Sequence, residues 1–236
     1  MSIGRGVSPC GDTEAADWIE PRLLSFASGV GALVPPVFDA YARILHPAQA
    51  EDGSPVRWGA IAAWSGGTVH SLAQFTPMSR LRGSGLSDRP FRTPPPDGDC
   101  PPATMAALRD VLARHTATPE LCYFGVWEGY GWIPREASRA PRLELPNRTY
   151  LLFRGPPSGV VDIGFWLGDH FGQQSPDLLW PADRTWFVAR DTDLDSTYLG
   201  GSAELIRELL ADERLEAWPV SATDPIDAGS DLINRG

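Results

Sequence analysis

The spacing of apolar positions changes near the middle of the chain. In "VPPVFDAYARILHPA", Pro35 and Pro36 stand where a helix can open, and Val37, Tyr41, Ile44 and Leu45 share one helical face before Pro47 ends it. A second short helix is expected in "VRWGAIAAW", where Trp58, Ile61 and Ala62 share a face. The periodicity dissolves from Ser79 to Pro102, where proline and glycine are too dense for helix or strand. That segment reads as a partly disordered surface insertion. Helical spacing returns in "ATMAALRDVLARHT" through Met105, Leu108, Leu112 and His115, with Thr104 available as the cap.

Short aromatic and β-branched runs come next: "LCYFGVW", "TYLLFRG", "TWFVARD" and "RLEAWPV", each bounded by Gly, Pro or Asp, read as strands. Between the last two, residues 203–211 form a helix that buries Leu205, Ile206, Leu209 and Leu210 and turns Glu204, Arg207 and Glu208 to water. The expected class is α+β, with N-terminal helices packed on a mainly antiparallel sheet formed by the C-terminal half. The expected organisation is a flexible segment over 1–20, one domain over 21–225 carrying the insertion at 79–102, and a tail over 226–236.

A chain of 236 residues can bury one sizeable core, and 42% apolar against 21% charged residues is the balance of a folding protein. All 20 basic side chains are arginine. That bias fits a GC-rich genome, so no arginine chemistry is drawn from it. A net charge of −10 disfavours nucleic acid and anionic membranes and points to a basic or neutral partner. Cys10, Cys100 and Cys122 form no C-x-x-C pair and leave an odd thiol, so neither a disulfide framework nor a thiolate zinc site is supported. The uncharged run from Leu23 to Phe38 is too short and too broken by Gly and Pro to span a bilayer. The N-terminus lacks a basic start followed by an apolar core, so a cytoplasmic protein is expected. No motif requires a cofactor.

The densest chemistry lies in "ARDTDLDSTYLGGSAELIREL", residues 189–209. Asp191, Asp193 and Asp195 occupy positions 1, 3 and 5 of a calcium-loop pattern, but Ser196 and Ser202 stand where the turn glycine and the bidentate glutamate belong. The three are candidate ligands for a looser metal site, because close carboxylates repel unless something neutralises them. On an extended segment they would instead share one solvated face. Gly200 and Gly201 could bring backbone close to a phosphate at the helix N-terminus, a reading that Glu204 and the aspartates oppose. The plainer expectation is that the glycines make a turn and Ser202 caps the helix.

In "CYFGVWEGYGW", Glu128 sits among Tyr123, Phe124, Trp127, Tyr130 and Trp132. A carboxylate walled by rings loses hydration and is a candidate general acid. The alternative places Glu128 in water at a strand end. His46, His70, His115 and His170 form no H-x-H or H-E-x-x-H spacing, and His170 beside Asp169 is the histidine most open to catalysis. No G-x-S-x-G elbow occurs. Arg80, Arg82, Arg89 and Arg92 form a basic cluster diluted by Asp88 and Asp97. Nine tryptophans are mostly core material, but Trp166 and Trp180 flank the loop "LGDHFGQQSPDLL" and are expected near the surface. With Trp127, Tyr130 and Trp132 they are the candidate binding aromatics.

At "CYFGVWEGYG", "LELPNRTYLLFRGP" and above all "LLWPADRTWFVARDTDLDSTYLGGSAELIRELLADERLEAWPV", the chain resembles a family of uncharacterised proteins from high-GC actinobacteria. The resemblance runs from about Val34 to Val220 and implies a bacterial, cytoplasmic setting with no activity attached. The residues by themselves favour a non-catalytic acidic protein of immunity or regulatory type. It would bind a basic protein partner or a small ligand through aromatic and acidic loops. The competing expectation is a hydrolase or metal-dependent enzyme using Glu128 with Asp191, Asp193 or Asp195. Convergence of those four in one pocket distinguishes the two.

Overall fold

The computed structural model describes residues 3, 4, 6–25, 28–81, 88–146, 148–167 and 169–235, with the side chains at 166, 167 and 170 outside that set. In the first half, the strands are β1 (Ser8–Pro9), β2 (Ala40–Leu45), β3 (Ala48–Gln49) and β4 (Pro55–Val56). In the second half they are β5 (Cys122–Trp127), β6 (Arg142–Glu144), β7 (Thr149–Gly155), β8 (Gly164–Leu167), β9 (His170–Gln173), β10 (Leu178–Pro181), β11 (Phe187–Ala189), β12 (Ser196–Gly201) and β13 (Ala217–Val220). The helices are α1 (Trp58–Ser65), α2 (Phe75–Arg80), α3 (Pro102–Leu112) and α4 (Ala203–Ala211).

Nine strands form one sheet in the order β1-β7-β5-β10-β11-β12-β2-β13, with β6 also on β7, and β3-β4 and β8-β9 make separate hairpins. Every pairing among the described residues is antiparallel, so the protein is α+β around a large antiparallel sheet. The outermost strands each carry a proline, Pro9 in β1 and Pro219 in β13.

The sheet is not the product of the C-terminal half alone. The segment expected as the first helix is β2, which lies between β12 and β13. Five of its six residues are buried, because one face turns to the helices and the other to the N-terminal segment. A strand buried on both faces reads as a continuous apolar run, and periodicity cannot separate such a run from a helix. Val37, placed by helical spacing on the buried face, is exposed.

One face of the sheet supports α3 and α4. Ala42, Ile44, Phe124, Phe153, Val188 and Leu199 meet Met105, Leu108 and Val111 of α3 and Leu205 and Leu209 of α4. Leu210, expected in the packed stripe of α4, is exposed. The other face is covered by the N-terminal segment, whose Trp18, Ile19, Val30 and Val34 pack on Tyr41, Leu152, Trp180, Phe187 and Tyr198. The N-terminal segment is therefore a layer of the core. Thr104 lies inside α3 and does not cap it; Pro102 occupies the first turn, where its missing N–H costs nothing.

A third cluster joins Leu45 to Trp58 and Ile61 of α1 and to Phe75, Met78 and Phe91. Phe91 belongs to the segment expected as a surface insertion. Residues 82–87 of that segment, including Arg82, lie outside the described residues, but the stretch over 91–100 is anchored. Gln49 bridges to Thr93, and Cys100 is fully buried. The last residues are held too. The Asp231 carboxylate accepts hydrogen bonds from the Gln74, Ile233 and Asn234 amides, the Asn234 side chain and His70.

His46 is the buried histidine at the end of β2. Its Nδ1 donates to the Pro96 carbonyl (3.4 Å), which leaves Nε2 to accept from the Thr197 hydroxyl (2.9 Å). Burial holds its pKa down at about 3 from the ordinary 6.5. The unfolded chain therefore binds a proton across that window that the native protein refuses, and stability is lost as pH falls from 6.5 toward 3. Burial acts to raise the pKa of Asp231, but its hydrogen bonds outweigh burial and hold it at about 2, so its contribution, complete above the ordinary 3.8, is lost as pH falls toward 2. Urea titrations at stepped pH should show wild-type stability declining below pH 6.5, and His46→Asn should flatten the upper part of that slope.

Candidate functional site

Asp191, Asp193 and Asp195 do not lie along a strand. They occupy the connection between β11 and β12, closed by Leu194 N–H to the Asp191 carbonyl and by Asp193 N–H to the Asp191 carboxylate. Arginine meets their charge. Arg148 grips Asp191 with two hydrogen bonds (2.8 and 2.7 Å) and reaches Asp193 at 2.9 Å, while its guanidinium lies over the Trp127 ring. Burial pushes the Asp191 pKa up, and the Arg148 hydrogen bonds overcome that push and hold it below the ordinary value.

Asp195 pairs instead with Arg43 (3.3 Å), a buried arginine on β2. Arg43 also donates to Ser196 Oγ and to the Ser71 and Ala73 carbonyls and lies beside the Trp58 and Tyr198 rings. Among the described residues, no three His, Cys, Asp or Glu side chains gather so as to hold a metal ion. The Gly-Gly step is not a turn, since β12 runs through Gly201. A Cβ at Gly200 would stand 2.5 Å from the Phe38 ring, so the glycine admits that ring against the strand. Ser202 then caps α4, its hydroxyl accepting Leu205 N–H at 3.2 Å.

Glu128 stands exposed past the end of β5, ion-paired with Arg142 of β6 at 2.9 Å. It is not enclosed by rings. Trp127, Tyr130 and Trp132 instead form a half-buried ladder that continues to Phe165, with centroids 5.2, 6.0 and 5.7 Å apart in succession. Trp180, expected near the surface, is fully buried in β10, stacked between Tyr123 and Phe187. The cover is remote in sequence: the polar loop before Trp180 ends ahead of β10, a strand covered by the N-terminal segment. The side chains of Trp166 and His170 lie outside the described residues; their backbones pair within the β8-β9 hairpin.

Tyr130 leads to a group that the sequence does not single out. Its hydroxyl donates to Asp177 (3.0 Å) and accepts from Arg190 (3.3 Å). Arg190 and Asp177 are each 1% exposed and stand 3.5 Å apart. Arg190 also donates to the Pro176, Ser175 and Gly98 carbonyls. Burial opposes its charge, but Asp177, Tyr130 and Asp99 around it keep it protonated, with a pKa above the ordinary value.

Gly98, held by Arg190 and by its own N–H to the Leu194 carbonyl (3.0 Å), has φ +67°. A Cβ there would stand 2.7 Å from Thr192, so only glycine passes. This anchorage places the adjacent Asp97 opposite the aspartate connection. Asp97, Asp193 and Asp195 line one cleft of about 180 Å³ with Gln74, Phe75 and Thr76. Asp193 is 84% exposed, and Asp97 has no ion pair or hydrogen bond among the described residues. Burial above all, and then the charges of Asp195 and Asp193, raise the Asp97 pKa above its ordinary value.

The sequence supplied Asp193 and Asp195 but not Asp97, Arg148, Arg43 or Arg190. The four thiol and imidazole environments nearest to nucleophilic chemistry are quiet. Cys100 and Cys122 are pushed by burial up to about 12, and His46 is neutral and enclosed. His115 is committed to Glu208 at 2.6 Å.

Replacing Arg190 by Met leaves a buried carboxylate uncompensated and should cost about 3–5 kcal/mol in urea unfolding, with partial recovery when Asp177→Leu is added. Arg148→Ala should cost about 2 kcal/mol at neutral pH. Because the Asp191 pKa is depressed, that gap should close as pH falls below the ordinary 3.8. Comparison with known proteins finds no matching family model, no matching curated protein and no matching solved structure.

Proposed function

We propose that this protein is a non-catalytic recognition protein whose acidic cleft receives a cationic side chain of a basic protein partner. The observation that carries the reading is the convergence of Asp97, Asp193 and Asp195 on one cleft in which Asp97 has no cation of its own. A guanidinium or ammonium entering there would give Asp97 the cation it lacks, and the overall charge of −10 would steer a basic surface toward it. The half-exposed Trp127, with Arg148 across its ring, joins the aspartate connection to the aromatic ladder and gives the patch an apolar flank.

The arrangement of Glu128 supports recognition over hydrolysis. Its carboxylate pairs with Arg142, and the aspartates pair with Arg148 and Arg43, so the four acids are spent on three different arginines. In this reading the chain acts in a bacterial cytoplasm, as an immunity-type or regulatory protein of the actinobacterial group that its motifs resemble. A purely electrostatic partner would be weakened by any loss of charge, whereas a partner seated in this cleft responds to position.

Titration with an arginine-rich hexapeptide should show binding weakened about tenfold by Asp97→Asn with Asp193→Asn, a loss of about 1.4 kcal/mol. Asp12→Asn with Glu14→Gln removes the same charge from the N-terminal segment and should leave affinity within about twofold. Equal losses in the two variants would reduce the attraction to net charge and sink the cleft.

A further inference from the structure

Two short strands share the outer side of β7. Its Phe153 and Arg154 pair with β1, and its residues 149–151 pair with β6. On β6 the direction of each peptide group follows from its neighbours. Leu145 N–H donates to the Arg148 carbonyl (3.1 Å) and Leu152 N–H to the Pro141 carbonyl (2.9 Å), so residues 141, 143 and 145 turn their backbone toward β7. The alternate positions of β7 serve β5, as in the bond from Glu128 N–H to the Thr149 carbonyl (3.1 Å). The N–H and C=O groups of Arg142 and Glu144 therefore point away from the sheet, and they have no hydrogen-bond partner among the described residues.

A cleft of about 330 Å³ lies along this edge. One wall is Arg142, Leu143 and Glu144, and the other is Thr13, Ala16, Asp17 and Glu20 of the N-terminal segment. The far wall is held in place, because Ala16, Trp18 and Ile19 are buried in the same cluster as Leu143. It stands beside β6 without pairing with it.

The charge of the cleft is one-sided. Asp17, Glu20 and Glu144 are exposed and have no ion pair among the described residues, while Arg142 is committed to Glu128. Outward backbone groups on the edge call for an extended main chain, and carboxylates on both walls call for positive side chains on that chain. A second copy of this protein is a poor occupant, since each copy carries a net charge of −10.

We propose that the outer edge of β6 receives an extended basic segment of a partner protein. The segment adds as a strand on Arg142 and Glu144 and sets arginine or lysine side chains against Asp17, Glu20 and Glu144. Main-chain hydrogen bonds hold it in register, and the carboxylates select its charge. This edge shares no lining residue with the cleft of Asp97, so either site can fail without the other.

The probe is the peptide Val-Arg-Val-Arg-Val, acetylated and amidated, titrated while amide exchange is followed residue by residue. In the free protein the outward amides of Arg142 and Glu144 should exchange faster than that of Leu143. Saturation should slow those two by about tenfold and leave Leu143 unchanged. Asp17→Asn with Glu20→Gln should weaken binding about fivefold. Glu144→Pro removes an outward N–H and spares the bonds to β7, so it should weaken binding about tenfold more than Glu144→Gln. Methylating the backbone nitrogens of the peptide's arginines, or those of its valines, should abolish binding in one case only, and that comparison needs no variant of the protein. The proposal is overturned if the peptide does not saturate, if it binds without protecting the two outward amides, or if the two methylated peptides bind alike.

Discussion

Arg190 and Asp177, paired out of water between β10 and β11, are the contact on which the rest of the molecule is hung. Each would be costly alone, and together they depend on the hydrogen-bond partners around them. Those partners lie in four different places in the chain: the Trp127 amide, the Tyr130 hydroxyl, the carbonyls of residues 175 and 176, and the carbonyl of Gly98. One ion pair thus fixes the start of the aromatic ladder and the end of the proline-rich segment. The acidic cleft exists because Asp97 is next to Gly98.

Arg43 repeats the device across the sheet, gathering the carbonyls of residues 71 and 73, Ser196 and Asp195 around one side chain. Guanidinium suits this work. It carries five donors in a fixed plane and keeps its charge when buried, where an ammonium would surrender its proton. A chain whose basic residues are all arginine has this device available at every basic position.

What was legible in the sequence obeyed local rules. The α4 segment shows an apolar stripe, a capping serine and an early glutamate, and it forms the helix that this pattern dictates. The strands β5 and β7 are short aromatic runs with turn residues at their ends. The reading broke at β2, where burial on both faces erases alternation, and at Trp180, whose cover comes from residues more than a hundred positions away. The candidate site was half visible. Asp193 and Asp195 advertise themselves by density, but Asp97 acquires meaning only when Arg190 brings its segment across. A buried arginine in "FVARD" looks the same as a solvated one, because burial is decided by the fold and not by the neighbours in sequence.

The prolines in the outermost strands have a further effect. Leu45 N–H bonds the Glu216 carbonyl and Cys10 N–H bonds the Leu152 carbonyl, and from these alternations the nitrogens of Pro219 and Pro9 point away from the sheet. Where any other residue would offer a hydrogen to an incoming extended chain, these positions offer none. At these two places the sheet is a poor template for augmentation or for edge-to-edge polymerisation, and an extended chain laid along β1 or β13 would meet a gap in its ladder of donors.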